Sequence, residues 1–251
     1  MKNKFNYFIN RYREDKALFY ILGIYSLICL ISSIICFSLD RSRNGLMSLL
    51  FMTYPLLVFI FEKLFKIKVS SFIVILIFTI ALGGLFGTIY ELYMIIPCFD
   101  TILHGLSGFA FACVGFLIFE RLIGKIDSKG KFWAIILASV SFSLAIALLW
   151  EIFEYLTTFI GYDMMEDSII NGFNSYLLAG SHSEVVSVNG IIQTIIYYEN
   201  GQSIIIDGYL DIGLIDTLND MIICLVGSIV FLLSVKINPQ INKFYKTLTI
   251  S

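Results

Sequence analysis

The sequence predicts an all-α membrane protein: a six-transmembrane-helix bundle with a small extracytoplasmic β-hairpin insert between helices 5 and 6. Three observations predict it. Of 251 residues, 58% are hydrophobic and only 14% charged, whereas a soluble domain keeps roughly a quarter of its residues charged. Six apolar runs are of a length to cross a hydrocarbon layer roughly 30 Å thick, at about 1.5 Å per helical residue. The basic residues, finally, alternate from side to side across those runs.

The runs are 17–39, 46–61, 71–90, 101–119, 132–160 and 215–235. The first has the basic start of a secretory leader, but its length is that of a span. It leads into Asp40-Arg41-Ser42-Arg43 rather than a small-x-small cleavage site, so it reads as a membrane helix. The second is the shortest and carries Pro55, which removes a backbone donor and points to a kinked or little-tilted helix. The two three-helix halves share no motif, which argues against an inverted-repeat transporter.

Lys and Arg set the orientation. Lys2, Lys4, Arg11, Arg13 and Lys16 precede the first run, and Lys63, Lys66 and Lys68 follow the second. Arg121, Lys125, Lys129 and Lys131 follow the fourth, and Lys236, Lys243 and Lys246 follow the sixth. Fifteen of the seventeen basic residues thus lie on one side, the expected cytoplasmic one, and only Arg41 and Arg43 lie opposite. The chain then divides into a cytoplasmic segment 1–16, helices 1–5 within 17–160, an outer loop 161–214, helix 6 at 215–235 and a cytoplasmic tail 236–251.

The outer loop carries no Lys or Arg. Within it Glu199-Asn200-Gly201-Gln202 joins apolar, β-branched runs at 192–198 and 203–207, and Asn-Gly between such runs signals a hairpin. The hairpin is either a lid over what lies beneath or a plain surface loop. Cys29, Cys36, Cys98, Cys113 and Cys224 form no CxxC pair, so neither a disulfide framework nor a thiolate metal site is expected. No basic tract suggests nucleic acid, and the expected partner is the lipid bilayer.

Ionisable residues in or beside membrane spans are costly in lipid and mark functional sites. Here they are Glu91, Asp100, His104, Glu151, Glu154, Asp216 and Asp220. Trp133 and Trp150 stand 17 residues apart on the fifth run, or about 26 Å along a helix. Trp favours both membrane interfaces, so Trp150 marks the outer one and places Glu151 and Glu154 beside it. Glu91 closes the third run, Asp100 and His104 open the fourth, and Asp216 and Asp220 open the sixth. All seven fall at the outer side.

Asp100/His104 and Asp216/Asp220 are i,i+4 pairs and Glu151/Glu154 an i,i+3 pair, so each projects from one helix face. Gly105, Gly108, Ala112 and Gly115 on the fourth run, and Gly227 on the sixth, allow those helices to approach closely. Six carboxylates at one depth need opposing charge from bound protons, the two arginines or a metal cation. Such a site suits a divalent metal (Mn, Fe, Zn or Mg), held by Asp100, His104, Glu154, Asp216 and Asp220, with His104, Glu151 and Glu154 as proton carriers. Plainer roles compete. Asp100 and Asp216 stand where helix N-caps belong, Arg41 and Arg43 can pair with carboxylates, and Glu91 suits an interface residue. Glu151 and Glu154 resist such accounts, because the helix dipole disfavours negative charge at a C-terminus.

Asp100-x-x-x-His104 with Gly105 and Gly108, Trp150-Glu151-Ile152-Phe153-Glu154, and Asp216-x-x-x-Asp220 with Gly227 together resemble the YjdF-like family of bacterial inner-membrane proteins. They are distantly similar to VanZ-like membrane proteins, which carry Asp/His, Glu and Asp motifs on successive helices. The resemblance covers roughly 95–235 and not the first two helices, and the insert at about 161–213 departs from it. It implies a bacterial cytoplasmic membrane and marks the same six residues. Three functions fit: metal-assisted or acid/base chemistry on a lipid or envelope precursor, small-solute or ion transport, or a non-catalytic envelope or stress-tolerance role. The inner halves of the fourth and sixth runs carry no ionisable group, which favours a one-sided site over a through-path.

Overall fold

The structure, a computed structural model, describes residues 9–237 except 12, 66–68, 70, 124–129, 162 and 163. Lys2, Lys4, Lys66, Lys68, Lys125, Lys129, Lys243 and Lys246 therefore lie outside the described residues, as does most of the expected tail. Six helical stretches are long and apolar enough to cross a membrane. They are α1 (Lys16–Ser38), α2 (Ser42–Phe51) continued by α3 (Tyr54–Phe65), α4 (Ser71–Ile89), α6 (Phe99–Ile123), α7 (Lys131–Thr158) and α9 (Leu214–Ile237), with a short α5 (Leu92–Ile95) before α6. By packing, the chain falls into two units, Met1–Leu148 with Met221–Ser251, and Leu149–Asp220. Helices α7 and α9 run unbroken through the division.

In the first unit α6 is the central helix, with 61% of its apolar window buried, about twice the share of the next most enclosed span. Its small residues explain this. A Cβ on Gly108 would strike the Cys224 carbonyl of α9, and one on Gly227 the Gly105 carbonyl of α6. At Gly115 it would come within 3.1 Å of Ser139 and Phe142 on α7. Side-chain-free faces let backbones meet where lipid tails provide no hydrophobic push. Tyr25, Phe78, Phe116 and Phe231 fill the core around this helix.

The second span is broken rather than merely kinked. Pro55 lacks an N–H, so the Phe51 carbonyl four residues earlier loses its helical donor. The Tyr25 hydroxyl supplies one at 3.2 Å, while the Leu50 carbonyl accepts from the Thr53 amide at 3.0 Å and its hydroxyl at 2.7 Å. In lipid a freed carbonyl must be answered from within the protein. The unit also holds a buried ion pair that sequence reading missed. Arg11 and Glu62 are 1% and 3% exposed. The Arg11 guanidinium donates to both Glu62 oxygens (2.9–3.2 Å) and to the Val69 carbonyl (2.6 Å). Beside it Asp15 caps α1 through the Leu18 amide and accepts from the Ser71 hydroxyl. Elsewhere in the unit, Lys236 Nζ lies 5.8 Å from the Trp133 ring centroid, so the basic terminus of α9 adjoins the start of α7.

The second unit contains three antiparallel ribbons rather than the one expected. Strand β1 (Ser168–Ile170) pairs with β6 (Tyr209–Asp211), and β2 (Gly172–Ser175) with β3 (Val186–Asn189) across a short α8 (Tyr176–Ala179). Strand β4 (Thr194–Tyr197) pairs with β5 (Ser203–Ile206), Thr194 facing Ile206 and Tyr197 facing Ser203. This last ribbon is the predicted hairpin. Its turn is closed by the Tyr198 amide on the Gln202 carbonyl at 2.8 Å, with Gly201 at φ +81, a conformation glycine adopts without penalty. The other ribbons escaped prediction because no tight turn joins their strands: β1 and β6 lie at opposite ends of the insert, and β2 reaches β3 through α8.

Candidate functional site

Helix α6 begins at Phe99, two residues earlier than its apolar run suggested, so Asp100 lies in its first turn and is not the N-cap. The chain enters through Cys98 at φ +60, whose carbonyl accepts from the Ile102 amide at 3.0 Å. One turn on, His104 is buried at 7% exposure, with Nε2 at 3.5 Å from Asp100 Oδ2. Its other face meets α9. Cys224 Sγ lies 3.2 Å from the His104 carbonyl oxygen and 3.9 Å from Nδ1. The glycine contacts at Gly108 and Gly227 fix the separation of α6 and α9 at this level.

A layer of hydroxyls continues inward from that contact. The Gly108 carbonyl accepts from the Ser143 hydroxyl of α7 at 3.0 Å and the Ser228 hydroxyl of α9 at 3.1 Å, and the two hydroxyls are 3.0 Å apart. Ser228 lies four residues after Cys224, whose carbonyl is 2.9 Å from the Ser228 hydroxyl. Three helices therefore converge on one carbonyl.

In the second unit, Glu151 and Glu154 are 4% and 6% exposed and bring carboxylate oxygens within 4.8 Å of each other. The residues between and around them, Ile152, Phe153, Tyr155 and Leu156, are exposed. The acids thus occupy the protein-facing stripe of α7 and the apolar groups its outer face, as expected of polar residues in a membrane helix. Asp220 is likewise buried. Asp216 is not the N-cap of α9, because the helix begins at Leu214; upstream of it the Asp211 carboxylate accepts from the Ile215 amide at 2.9 Å. Asp216 lies in the first turn and accepts from the Glu166 amide at 2.8 Å, tying the start of the insert to the helix.

The remaining sequence candidates resolve into structural parts. Glu91 does not close the third span: α4 ends at Ile89, and Glu91 is exposed at φ +59, where the chain turns into α5. The guanidinium of Arg41 donates to the Ile89 carbonyl at 3.2 Å, serving a helix terminus. Cys224, Ser143 and Ser228 were missed. Spacing alone holds the signal, since Cys224 stands four residues from both Asp220 and Ser228 on one face of α9. Small polar residues are common enough in membrane helices to hide it.

Fold and composition together define a multi-pass membrane protein with a helical core and a small β insert. The family model described as "Predicted membrane protein (DUF2238)" matches residues 17–239, and the chain belongs to that family. The match includes the first two helices, which the YjdF-like resemblance left out. Comparisons with curated proteins and with solved structures found no match.

Proposed function

We propose that this protein, in a bacterial cell membrane with both termini cytoplasmic, binds a divalent metal at its outer face. There it carries out metal-assisted or acid/base chemistry on a lipid or envelope precursor. The orientation rests on the one-sided distribution of Lys and Arg, with Lys236 beside Trp133 at the basic end. The VanZ-like order of motifs supports the same outer-face reading.

One observation carries the site. From the carbonyl of Gly108, where Ser143 and Ser228 meet it, each helix can be followed outward by the same number of residues. Eight residues back along α6 is Asp100, with His104 halfway; eight forward along α7 is Glu151, with Glu154 beyond; eight back along α9 is Asp220. Eight residues rise about 12 Å in every case. The shared eight-residue offset supports reading the imidazole and the carboxylates as one set. On this reading Asp100, His104, Glu154, Asp216 and Asp220 hold the metal, and His104, Glu151 and Glu154 move protons. An oxygen-rich donor set with one imidazole suits a divalent cation of the Mg, Mn, Fe or Zn kind. Such a cation supplies Lewis acidity and compensates the acids.

A small-solute or ion transporter is the second reading. It is favoured by the hydroxyls of Ser143 and Ser228, which extend polarity inward from His104 and Cys224. Metal analysis of the purified protein and of a Glu151→Gln variant separates the two. Bound metal in the wild type and its loss in the variant is the expected result. Metal in neither protein, with solute flux in proteoliposomes that depends on Glu154, overturns the first reading in favour of the second.

A further inference from the structure

The three ribbons of the second unit meet at a junction whose corners share one sequence pattern. Strand β1 leads into β2 through Asn171-Gly172, β3 ends on Asn189-Gly190, and β5 leads into β6 through Asp207-Gly208. These three Asx-Gly pairs stand eighteen residues apart in turn. Gly208 has φ +105, which a residue with a side chain rarely adopts, and a Cβ there would come within 2.6 Å of the Ile169 side chain. Backbone bonds lock the corners to one another. The Ile191 amide donates to the Asn171 carbonyl at 2.8 Å and the Gly208 amide to the Ile192 carbonyl at 2.9 Å. The Thr194 hydroxyl donates to the Gly208 carbonyl at 2.6 Å. Between the corners lies a cleft of about 530 Å³, walled by Ile169, Ile170, Ile191 and Ile192, edged by the glycines, and carrying Asn171 and Asp207.

That volume lies within the range of small-ligand clefts, about 300–1,000 Å³. Ile192 is 86% exposed and Asp207 is exposed as well, so the cleft opens to solvent. The corner bonds already occupy backbone groups, and among the described residues no hydrogen bond or ion pair engages the side chains of Asn171 and Asp207. The charge of the ligand follows from the surroundings. Residues 161–214 carry seven acids and no Lys or Arg, and a field of one sign draws in the opposite ion. One carboxylate and one amide fall short of the about six to eight oxygens that Ca²⁺ takes. No aromatic ring among the described lining residues offers a sugar a stacking face. An ammonium group, by contrast, has three donors for the Asp207 carboxylate and Asn171 Oδ1, while four isoleucines suit an apolar body. We infer that the junction cleft binds a small molecule carrying one ammonium group on an apolar body, with Asp207 receiving the charge. None of its residues belongs to the proposed metal set, so either reading can fail alone.

Saturation-transfer NMR of the full chain in nanodiscs, with butylammonium as the probe, tests this. The wild type is expected to bind butylammonium, and methylammonium more weakly by roughly fourfold for each methylene that the isoleucines cover. Asp207→Asn is expected to weaken butylammonium binding about tenfold, the worth of one hydrogen bond to a charged group. Glu199→Gln makes the same charge change at the hairpin turn, outside the cleft, and is expected to leave binding nearly unchanged. Ile192→Ser is expected to narrow the preference for butylammonium over methylammonium. Partition of the probe into lipid is common to all variants and cancels in the comparison. No binding by the wild type, equal binding by Asp207→Asn, or an equal loss in Glu199→Gln overturns the inference; the last would assign the effect to the charge of the insert at large. Nanodiscs of phosphatidylglycerol with and without phosphatidylethanolamine then distinguish two sources of the ammonium group. Displacement of butylammonium by the ethanolamine lipid assigns the cleft to a lipid headgroup, and its persistence there assigns the cleft to a soluble amine.

Discussion

Glu62 and Glu151 are both buried glutamates near the ends of membrane helices, and their surroundings differ in kind. Around Glu62 the protein provides its own cation: Arg11 binds both carboxylate oxygens, and the Val69 amide donates to one of them at 2.8 Å. Around Glu151 the sequence provides more acid. Glu154 follows one turn later within 4.8 Å, and on the topology proposed from the sequence Asp100, Asp216 and Asp220 fall on the same side, with Arg41 and Arg43 the two basic residues there. Arg41, one of those two, donates to a helix carbonyl. A carboxylate paired inside the fold is a structural fastening. On our proposal, carboxylates gathered in this way draw part of their compensation from outside the fold. The same residue type thus serves assembly at one end and, on our proposal, ligand binding at the other.

The largest test of this contrast is at the Arg11–Glu62 pair. Removing one partner of a buried ion pair leaves an uncompensated charge and costs about 3–5 kcal/mol. Arg11→Met is therefore expected to lower the unfolding midpoint in detergent sharply, whether or not divalent metal is present. Arg11→Met combined with Glu62→Leu should recover most of the loss, because both charges then leave the interior. An Arg11→Met protein as stable as the wild type would mean that the two ends do not differ as described. At the proposed metal site stability should instead depend on metal. A ligand at a hundredfold its dissociation constant stabilises by about 2.7 kcal/mol. Mn²⁺ is expected to raise the unfolding midpoint of the wild type accordingly, and Glu154→Gln to abolish the rise while leaving the metal-free midpoint nearly unchanged.

A smaller effect is expected at the α6–α9 contact. Gly227→Ala would press a methyl group into the Gly105 carbonyl, and overpacking of this kind costs about 1–3 kcal/mol. The helices must separate, so the variant should also weaken the Mn²⁺-dependent rise. Gly23→Ala is the control, since an added Cβ there meets nothing within 4 Å. If the two variants behave alike in both measurements, close approach of α6 and α9 does not support the site.

Much of this was legible in the sequence, and the limits have physical reasons. Span number and helix type follow from length and hydropathy, which the lipid environment enforces. The Asn200-Gly201 hairpin follows from turn chemistry. The break before Pro55 was readable only as a kink, because it needs Tyr25, from another helix, to answer the Phe51 carbonyl. The Arg11–Glu62 pair was invisible: its partners are 51 residues apart, and nothing local distinguishes Arg11 from the other basic residues that set topology. The acids and His104 stood out by their rarity in apolar runs, whereas Cys224 is apolar enough to pass as core. Periodicity shows which residues share a face and is silent on which faces meet.

The smallest expected effect concerns Arg41, the arginine best placed to undo the contrast. Were Arg41 neutralising the outer carboxylates, the acid excess would shrink and no outside cation would be needed. Its guanidinium instead donates to the Ile89 carbonyl, the last residue of α4, where a cation meets the negative end of the helix dipole. Such a contact at a helix end is worth about 0.3–1 kcal/mol. Arg41→Gln is therefore expected to lower the unfolding midpoint slightly and to leave the Mn²⁺-dependent rise intact. A structural ion-pair network predicts the contrary: with Arg41 gone the acids would lose their partner, the metal-free protein would be strongly destabilised, and added Mn²⁺ would restore more than the wild type gains. Measuring both midpoints in one variant thus decides whether the outer carboxylates depend on the chain's own cation or on one taken from solution.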